Sequence, residues 1–511
     1  MKISFFLSLC TGLLLSLGFL PSRFFWVFSW FGFLPLFSAL VKVNSKLKAF
    51  FLGYLAGLLF WLITVYWLIH VSLLGLILLS LYLSFYFGIF GLFFYIFFKK
   101  EFKDIFFIPS FWVILEYIRS KLFTGFGWAL LGYSQTLNLT LIQIADLFGA
   151  EALSFLIMAT NLTVFFGSFA LPSQRLKAIS VCLGMLIFSL LYGNYKKIAI
   201  KNFYSLGIPF KVAVVQANIP QFLKWDSSKK DFILQRHFTL TKEVLKDNPE
   251  IIVWPEASLP VVAEEEPIYY LRLLDFIKGI KKPLLLGLVT KEDTLYYNCA
   301  EFISSDAEPL KRYHKLHLVP FGEYIPLKKI FYFLENIAPI GDFSKGKEYS
   351  LFEIKKDSDI FKFSVLICFE DIFPELSYRF VKKGADFLIN ITNDAWFKES
   401  PASFQHLTSS VFRAIENRRY LIRSANTGIS CFISPVGEIT SKIENHLGKD
   451  IFIEGAISQN IFLRKTKYLS FYTRYPKLFV SFCIITVLYG IIKRYAERKR
   501  DKKYTVNSFV P

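Results

Sequence analysis

The chain has 511 residues, of which 54% are hydrophobic, and it carries a formal net charge of +19. This length suffices for two or three domains of ordinary size. Because the basic residues accompany no zinc-finger, homeodomain or RNA-recognition pattern, we exclude those nucleic-acid-binding classes and expect no nucleic-acid partner.

Charged residues divide the chain into two parts. Only 17 of its 59 basic and 40 acidic residues lie between Met1 and Tyr195. A stretch so poor in charge suits a lipid environment, whereas the rest of the chain has the charge content of an ordinary soluble domain. We therefore predict N-terminal transmembrane helices over residues 1–195 and a folded domain after them.

Eight apolar runs are long enough to be membrane spans, since an α-helix needs about 20 residues to cross the hydrocarbon core of a bilayer. The predicted spans are residues 4–20, 24–41, 50–69, 73–98, 105–122, 141–170, 177–194 and 476–492. The first run has an alternative interpretation as a cleaved signal peptide, although no typical cleavage site follows it. We predict a membrane α-helical bundle of about seven N-terminal helices and one C-terminal helix.

The loops between these spans differ in charge, which predicts the orientation. Lysine and arginine cluster in every second loop and after the last span, at residues 42–48, 99–103, 175–177 and 493–503. Cytoplasmic loops of membrane proteins carry an excess of such residues. We therefore predict a multi-pass protein of the bacterial inner (cytoplasmic) membrane, with a basic cytoplasmic tail at 493–511 and the folded domain on the periplasmic side.

Two polar features interrupt the apolar pattern near the fifth span. Glu116 and Arg119 are three residues apart and share one helical face. Either they form an ion pair near the outer membrane boundary, or they line a lipid or substrate cavity. The glycine-rich segment 123–128, which ends in Trp128, is either a plain turn with an interfacial aromatic or backbone that borders a cavity.

Residues 209–462 show short apolar strands that alternate with amphipathic helices, a pattern typical of a layered α/β domain. The predicted strands are 211–216, 251–254, 284–289, 298–303, 364–368, 387–392, 420–424 and 430–434. The predicted helices are 229–247, 266–280, 374–384 and 403–418.

Cysteine and histidine spacing in this domain does not indicate a metal site. Cys299, Cys368 and Cys431 are odd in number, so at least one thiol is free. His314 and His317 are close in sequence, but two residues on a strand or loop make a poor metal site. We expect no metal and no cofactor.

Three predicted strand ends carry reactive groups. Glu256 follows Val-Trp-Pro, Lys315 lies in the segment 314–323, and Cys368 stands where an apolar strand gives way to a turn. Taken singly, they have the alternative roles of a solvated carboxylate, a surface ammonium and a small buried thiol. Taken together, they suit acyl transfer, because a thiol is mostly protonated at neutral pH and needs a base or a positive field. Glu256 could remove its proton, and Lys315 could stabilise the oxyanion.

These three residues resemble the catalytic triad of a known superfamily. In the contexts WPE, HKLHLVPFGE and CFED, Glu256, Lys315 and Cys368 resemble the Glu-Lys-Cys triad of the nitrilase (carbon–nitrogen hydrolase) superfamily. The segments 392–397 and 423–428 are also similar to segments of that superfamily. The resemblance implies an exported α/β nitrilase-like αββα sandwich domain across roughly residues 210–460.

Further segments narrow the resemblance to one family. The segment 123–128 with Gly-Tyr-Ser-Gln at 132–135, and the segment 215–221 with Lys-Trp-Asp at 224–226, resemble the apolipoprotein N-acyltransferase family. This resemblance implies transfer of an acyl chain from a phospholipid donor to the terminal amine of a diacylglyceryl lipoprotein acceptor. We expect a ping-pong thioester mechanism and a monomer embedded in the membrane.

The same resemblance implies roles for individual residues. Glu256 would be the base, Lys315 the intermediate stabiliser and Cys368 the nucleophile. The implied substrate-binding or supporting residues are Trp128, Trp225, Glu323, Phe369 and Glu370. The chain departs from the family at Phe369, where tyrosine is frequent, so a role of a phenol hydroxyl does not carry over.

Two other functions remain open from the sequence alone. A membrane-tethered amidase or nitrilase would use the same triad to hydrolyse C–N bonds. A catalytically idle membrane module that binds lipoproteins would have no need of all three reactive groups.

Overall fold

A computed structural model of the chain describes residues 1–224, 226–325 and 343–507. Internal contacts divide the chain into two compact units. The first comprises residues 1–195 with 475–511, and the second comprises residues 196–474.

The first unit is built of apolar helices. Its α-helices are Lys2–Leu17, Leu34–Leu40, Lys46–Thr64, Leu73–Phe97, Asp104–Arg119, Ala145–Phe148, Ala150–Phe166 and Leu478–Asn507, and a further helix, Pro172–Ser205, begins in it. Among the described residues, four segments are long and apolar enough to cross a membrane, by length and composition. They are Lys46–Thr64, Leu73–Phe97, Pro172–Ser205 and Leu478–Glu497.

Three of the predicted spans are not single helices. The run 50–69 comprises the end of the α-helix Lys46–Thr64 and most of a 3-10 helix, Tyr66–His70. The run 24–41 forms a 3-10 helix, Phe25–Trp30, and then a short α-helix, Leu34–Leu40, which begins at a proline-containing first turn. The run 141–170 is interrupted at Gly149, whose φ of +74° is in the region that favours glycine. Hydropathy therefore located these apolar segments correctly, but the number of unbroken spans is only approximately as predicted.

Small residues bring two of the long helices of this unit into close contact. A Cβ added at Gly91 would lie 2.6 Å from the carbonyl oxygen of Ala49, and one added at Gly53 would collide with the carbonyl oxygen of Phe87. Glycines at such positions let the backbones of apolar helices approach each other, which is how helices pack in lipid.

The second unit contains two six-stranded sheets. The strands are β1 Ile208–Gln216, β2 Ile251–Val253, β3 Leu284–Glu292, β4 Leu295–Ile303, β5 Pro309–His314, β6 Phe352–Lys356, β7 Asp359–Ile367, β8 Phe387–Thr392, β9 Leu421–Ala425, β10 Cys431–Ile433, β11 Ile439–Lys442 and β12 Gly455–Leu463. Their order is β12-β1-β2-β3-β4-β5 in one sheet and β11-β10-β9-β8-β7-β6 in the other. Pairing is parallel between β1, β2 and β3 and between β7, β8 and β9, so the carboxyl ends of three strands meet at one edge of each sheet.

Helices cover the outer faces of the two sheets. In the described part of this unit, the α-helices after the end of Pro172–Ser205 are Lys230–Leu245, Pro267–Ile280, Pro374–Lys382, Ala402–Asn417 and Phe471–Arg474. The first two share an apolar core with β1 to β4, and the next two pack on the second sheet. Between the sheets, the rings of Phe210 and Phe387 are 5.8 Å apart, and those of Phe302 and Phe363 are 5.3 Å apart. This is the predicted αββα sandwich.

Every predicted strand and helix of this domain is present to within a few residues, but β5, β6, β11 and β12 were missed. The missed strands lie at or beside the edges of the sheets, and most of their side chains are at least partly exposed. Exposed edge strands lack the continuous apolar run by which the central strands were recognised.

Candidate active site

Cys368 stands directly after β7, at the start of the 3-10 turn Cys368–Ile372. Its φ of +52° is in the left-handed region, which is unfavourable for a residue with a side chain and persists only where the surroundings hold it. The side-chain amide of Asn390, on the neighbouring strand β8, donates hydrogen bonds to the carbonyl oxygens of Leu366 (3.0 Å) and Cys368 (2.9 Å). Asn390 therefore fixes the backbone that presents the thiol at residues on either side of Ile367.

Glu256 follows β2 and is 7% exposed. Its loop lies so close to β3 that a Cβ added at Gly287 would come within 2.6 Å of the Glu256 Cα. Asn298, on β4, donates a hydrogen bond of 2.8 Å from its amide to Glu256 Oε1. The Glu256 carboxylate is thus held by an amide N–H donor, and this amide does not compete with the carboxylate as a base.

Lys315 follows β5 and is 1% exposed. Its Nζ lies 2.9 Å from Glu323 Oε1 and 3.4 Å from Glu256 Oε1. Asn298 also donates to Glu323 Oε1 at 2.7 Å, so both carboxylates share the same two donors. Although burial opposes the charge, Glu323 and Glu256 raise the pKa of Lys315, which therefore remains an ammonium.

The thiol of Cys368 belongs to the same electrostatic neighbourhood. Burial raises the pKa of Cys368, the charge of Glu256 raises it further, and Lys315 opposes the increase. The thiol is therefore protonated at rest, and a base must remove its proton when it attacks. The structure thus places Glu256, Lys315 and Cys368 within one electrostatic neighbourhood, together with Glu323.

Glu370 joins the lysine segment to the cysteine turn. It is fully buried and accepts backbone hydrogen bonds from Leu316 (2.7 Å), His317 (3.0 Å) and Ile367 (2.8 Å), and the Tyr313 hydroxyl also donates to it. Burial raises the pKa of Glu370 to about 7. Since its donors come from the chain on either side of Lys315 and before Cys368, Glu370 fixes these two segments relative to each other.

The other predicted supporting residues occupy different environments. The Phe369 ring packs against His317 and Phe373, at centroid distances of 5.6 and 5.2 Å. Trp128 is buried in the helical unit, where its ring contacts Trp67 at 5.3 Å. Trp225 lies outside the described residues.

Glu116 and Arg119 hold the glycine-rich segment of the helical unit. Arg119 Nη1 donates to the carbonyl oxygens of Phe126 (2.8 Å) and Trp128 (2.7 Å), and Glu116 Oε1 accepts from the Leu131 backbone (2.7 Å). Both side chains also line a cavity within this unit, and the Arg119 guanidinium lies over the Trp61 ring at 4.8 Å. The two charged side chains therefore hold the segment and border a cavity of this unit.

Sequence reasoning did not assign three polar residues that surround the triad. Asn298 and Asn390 are the single amides of mostly apolar strands, and a carboxamide on a buried strand was the available signal. Lys224 stands in the segment 224–226 that was compared with the family, but it received no role. It is 4% exposed, and its Nζ donates a hydrogen bond of 2.9 Å to the Glu256 carbonyl oxygen.

A buried cluster of four charged residues lies behind the cysteine turn. His406 Nε2 lies 3.0 Å from Asp371 Oδ1, and His406 Nδ1 lies 2.9 Å from Asp394 Oδ1. Arg423 lies 3.2 Å from each of the same two carboxylates and donates to Asn390 Oδ1 at 2.7 Å. Asn390 in turn holds the carbonyl of Cys368, so the cluster supports the nucleophile turn through one amide.

Charge in this cluster is balanced only if His406 is an imidazolium. Burial and Arg423 oppose its charge, but Asp371 and Asp394 raise the pKa of His406 to about 9. Against burial, His406 and Arg423 lower the pKa values of Asp371 and Asp394 below their ordinary range. Two cations and two carboxylates then offset one another, as buried charges must.

We expect His406→Gln to destabilise the catalytic unit by about 3–5 kcal/mol, because it leaves two buried carboxylates with Arg423 as their one cation within the cluster. The raised pKa of His406 stabilises the fold below its ordinary pKa of about 6.5, and this contribution is lost as pH rises through about 9. The thermal unfolding midpoint of the purified full-length protein, measured between pH 5 and 10, checks both effects.

The matched control is His446→Gln, because His446 is exposed on the same unit. We expect it to leave the midpoint unchanged. An unfolding midpoint of His406→Gln equal to that of the wild type at pH 7 would show that the cluster does not stabilise the fold.

The two histidines near Lys315 pack against aromatic rings. His314 stacks on Tyr297 at a centroid distance of 4.3 Å, and His317 lies against Phe373 at 3.8 Å. Within the ranges 1–224, 226–325 and 343–507, no group of three or more His, Cys, Asp and Glu side chains is arranged to hold a metal ion.

Comparison with known proteins adds family relationships to this geometry. The profile of the family described as "Apolipoprotein N-acyltransferase N-terminal domain" matches residues 11–163, and that of "Carbon-nitrogen hydrolase" matches residues 211–454. A protein of Geobacter metallireducens named apolipoprotein N-acyltransferase is 35% identical over 94% of this chain and 93% of its own length. Proteins with the same name from Rickettsia prowazekii and Wigglesworthia glossinidia brevipalpis are 34% and 29% identical, over 68% and 96% of this chain and 69% and 99% of their own lengths.

Solved structures similar to this chain cover about half of it. An amidase from Nesterenkonia sp. is 18% identical, with a TM-score of 0.38 over 50% of this chain and 93% of that protein. Saccharomyces cerevisiae Nit3, a member of branch 10 of the nitrilase superfamily, is 19% identical, with a TM-score of 0.36 over 50% of this chain and 90% of that protein.

Proposed function

The chain belongs to the apolipoprotein N-acyltransferase family, and we propose that it moves an acyl chain from a phospholipid to the N-terminal amine of a diacylglyceryl-cysteine lipoprotein. The observation that carries this proposal is the buried Glu256–Lys315 pair beside the fixed turn of Cys368. That arrangement is suited to acyl transfer through a thioester. The apolar helices of the first unit account for substrates that reside in a bilayer.

The first half-reaction would load the enzyme with the acyl chain. Glu256 takes the proton of the Cys368 thiol while the sulfur attacks the ester carbonyl carbon of the phospholipid. The oxyanion that forms is stabilised by the Lys315 ammonium. The C–O bond then breaks, Glu256 returns the proton to the glycerol oxygen, and lysophospholipid leaves a thioester on Cys368.

The second half-reaction would transfer the acyl chain from Cys368 to the lipoprotein. The neutral α-amine of the lipoprotein attacks the thioester carbonyl carbon, and Glu256 takes a proton from the attacking nitrogen. The C–S bond breaks, an amide forms, and the proton on Glu256 returns to the Cys368 sulfur. Carboxylate and thiol are then ready for the next cycle.

The decisive experiment follows the acyl chain. Purified protein is incubated with phospholipid labelled in its acyl chains and with a diacylglyceryl-cysteine peptide, and the products are separated. Label in an amide on the peptide supports the proposal. Release of labelled free fatty acid instead indicates a hydrolase that uses the same triad, and an absence of both products indicates a module that only binds lipoproteins.

We further propose a multi-pass inner-membrane protein with residues 209–462 as the periplasmic catalytic domain. Residues 1–195 and 476–492 would form the membrane part, and residues 493–511 a basic cytoplasmic tail. The basic loops support this orientation, since lysine and arginine concentrate on the cytoplasmic side.

Labelling of single cysteines tests this orientation. In a cysteine-free background, we expect a membrane-impermeant thiol reagent to label a cysteine at position 230 in intact cells, because that position would be periplasmic. A cysteine at position 46, in a basic loop, should react only after permeabilisation. Labelling at position 46 in sealed cells would contradict the proposed orientation.

A further inference from the structure

Lys224 is a buried ammonium at the active site to which the mechanism above gives no role. It directly follows the 3-10 turn Gln221–Leu223 and donates to the Glu256 carbonyl oxygen at 2.9 Å. Among the residues that the structure describes, no carboxylate lies within 4 Å of its Nζ. A buried ammonium without a close ion-pair partner is unfavourable, so its presence at this place requires a reason.

The segment that carries Lys224 is held at several points. Asn393 donates to Gln221 Oε1 at 2.9 Å. Asn426 accepts from the backbone N–H of Ile219 at 2.9 Å and donates to the Ile219 carbonyl at 2.7 Å. The loops after β8 and β9 therefore fix the backbone on the N-terminal side of Lys224 and restrict where its side chain can reach.

A count of charges at the site gives the reason. Two carboxylates, Glu256 and Glu323, lie within 3.4 Å of a single ammonium, that of Lys315. Those three groups alone leave one negative charge in a buried site, where a thiolate or an oxyanion would be disfavoured. A positive charge on Lys224 brings the sum over Glu256, Glu323 and the two lysines to zero, and adding Cys368 keeps it zero when the thiol proton moves to Glu256.

We propose that Lys224 is a positioning and charge-balancing residue for acyl transfer, which fixes the Glu256 loop and offsets the second carboxylate. This inference rests on the proposed role of Cys368 as nucleophile, but not on the identity of the acyl donor. Lys224 acts by fixing the Glu256 loop and by supplying a positive charge, and it transfers no proton.

The protonation of Lys224 makes the inference testable by pH. Burial lowers the pKa of Lys224 to about 8, although Glu256 and Cys368 act in the opposite direction. The third titratable group that interacts with it is His237, whose pKa burial lowers to about 4, so that it is neutral at neutral pH. Lys224 is therefore charged below about pH 8 and loses its charge above, whereas deprotonation of a thiol alone would speed the reaction as pH rises.

The experiment uses full-length protein in mixed micelles with phospholipid and no amine acceptor. Thioester formation on Cys368 is timed by mass spectrometry from pH 6 to 10 for the wild type, Lys224→Met, Lys224→Arg and the exposed control Lys229→Met. Alkylation of Cys368 by iodoacetamide, mapped by peptide, is timed in parallel.

We expect Lys224→Met to slow thioester formation about a hundredfold at pH 7, and to slow alkylation about tenfold because the thiol pKa rises. The wild-type thioester rate should fall above pH 8. Lys224→Arg, whose charge is permanent, should restore much of the rate and remove that fall. Lys229→Met should behave as the wild type.

Two results would overturn the inference: a Lys224→Met rate within threefold of the wild type, or an unchanged alkaline fall in Lys224→Arg. If Lys224→Met does not fold, the pH profile of Lys224→Arg decides alone. Wild-type protein that is alkylated at Cys368 but forms no thioester would instead refute the proposed function, and the alkylation rates would still test Lys224.

Discussion

Wild-type protein given phospholipid alone should become acylated on Cys368, and Cys368→Ala should lose both this adduct and turnover, by at least about a thousandfold. The reason is that a thioester has no good acceptor until an amine arrives, provided that the site excludes water. The acyl group should be released by neutral hydroxylamine, which cleaves thioesters but leaves amides intact. Intact-mass spectrometry before and after hydroxylamine checks this result.

Cys368→Ser should also fail to turn over. The hydroxyl of serine is far harder to deprotonate than a thiol, and its proposed base would be the same carboxylate that serves the thiol, Glu256. A diacylglyceryl-cysteine peptide added to the acylated wild type should discharge the chain into an amide. Free fatty acid at this step would indicate hydrolysis.

Cys299→Ala is the matched control for this experiment. Cys299 is a fully buried thiol on β4, and burial raises its pKa as it does that of Cys368. It lies inside a strand, however, and not on a turn with positive φ. We expect its variant to be acylated and to turn over as the wild type does. An acyl group that maps to Cys299 or Cys431, or full activity in Cys368→Ala, would contradict the assignment of the nucleophile.

The fold of the catalytic domain was predictable where side-chain burial is continuous. The strands β3, β7, β8 and β9 are buried over most or all of their length, and this produces the apolar runs recognised in the sequence. β12 shows no such run, because most of its residues are only partly buried. Its place beside β1 depends on pairing with residues about 250 positions away in the sequence, which no local pattern encodes.

The candidate site was predictable to the extent that it lies at strand ends. Glu256, Lys315 and Cys368 each follow a strand directly or within three residues, and chemically reactive residues at such places were the available signal. The geometry that fixes them was not predictable. Asn298 reaches Glu256 across 42 positions, and a single amide in a strand does not indicate its partner in sequence.

The buried cluster of four charged residues could not be predicted from the sequence, for a related reason. His406 lies on the helix Ala402–Asn417, where a lone histidine most often packs in a core or faces solvent. Its role emerges only because Asp371 and Asp394 come from the ends of two neighbouring strands of the same sheet. The balance of buried charges is a property of the folded domain.

Replacement of Lys315 by arginine should be almost as harmful as its replacement by methionine, with a loss of about a hundredfold or more in kcat/KM. The ammonium of Lys315 is a compact charge that donates to Glu323 at 2.9 Å and lies 3.4 Å from Glu256, in a place that is 1% exposed. A guanidinium is a planar fork that cannot occupy this volume with the same geometry. The positive charge alone is therefore not sufficient.

A comparison of kcat/KM between Lys315→Arg and a control variant separates this geometric requirement from a general effect of charge. Lys311→Arg is the matched control, because Lys311 lies on β5, four residues before Lys315, and is exposed. We expect it to retain wild-type kcat/KM, while Lys315→Arg remains folded by its thermal unfolding midpoint but turns over slowly. If Lys315→Arg instead turns over at nearly the wild-type rate, Lys315 contributes only a diffuse positive field. Stabilisation of the oxyanion would then have to come from backbone N–H groups at the turn after Cys368.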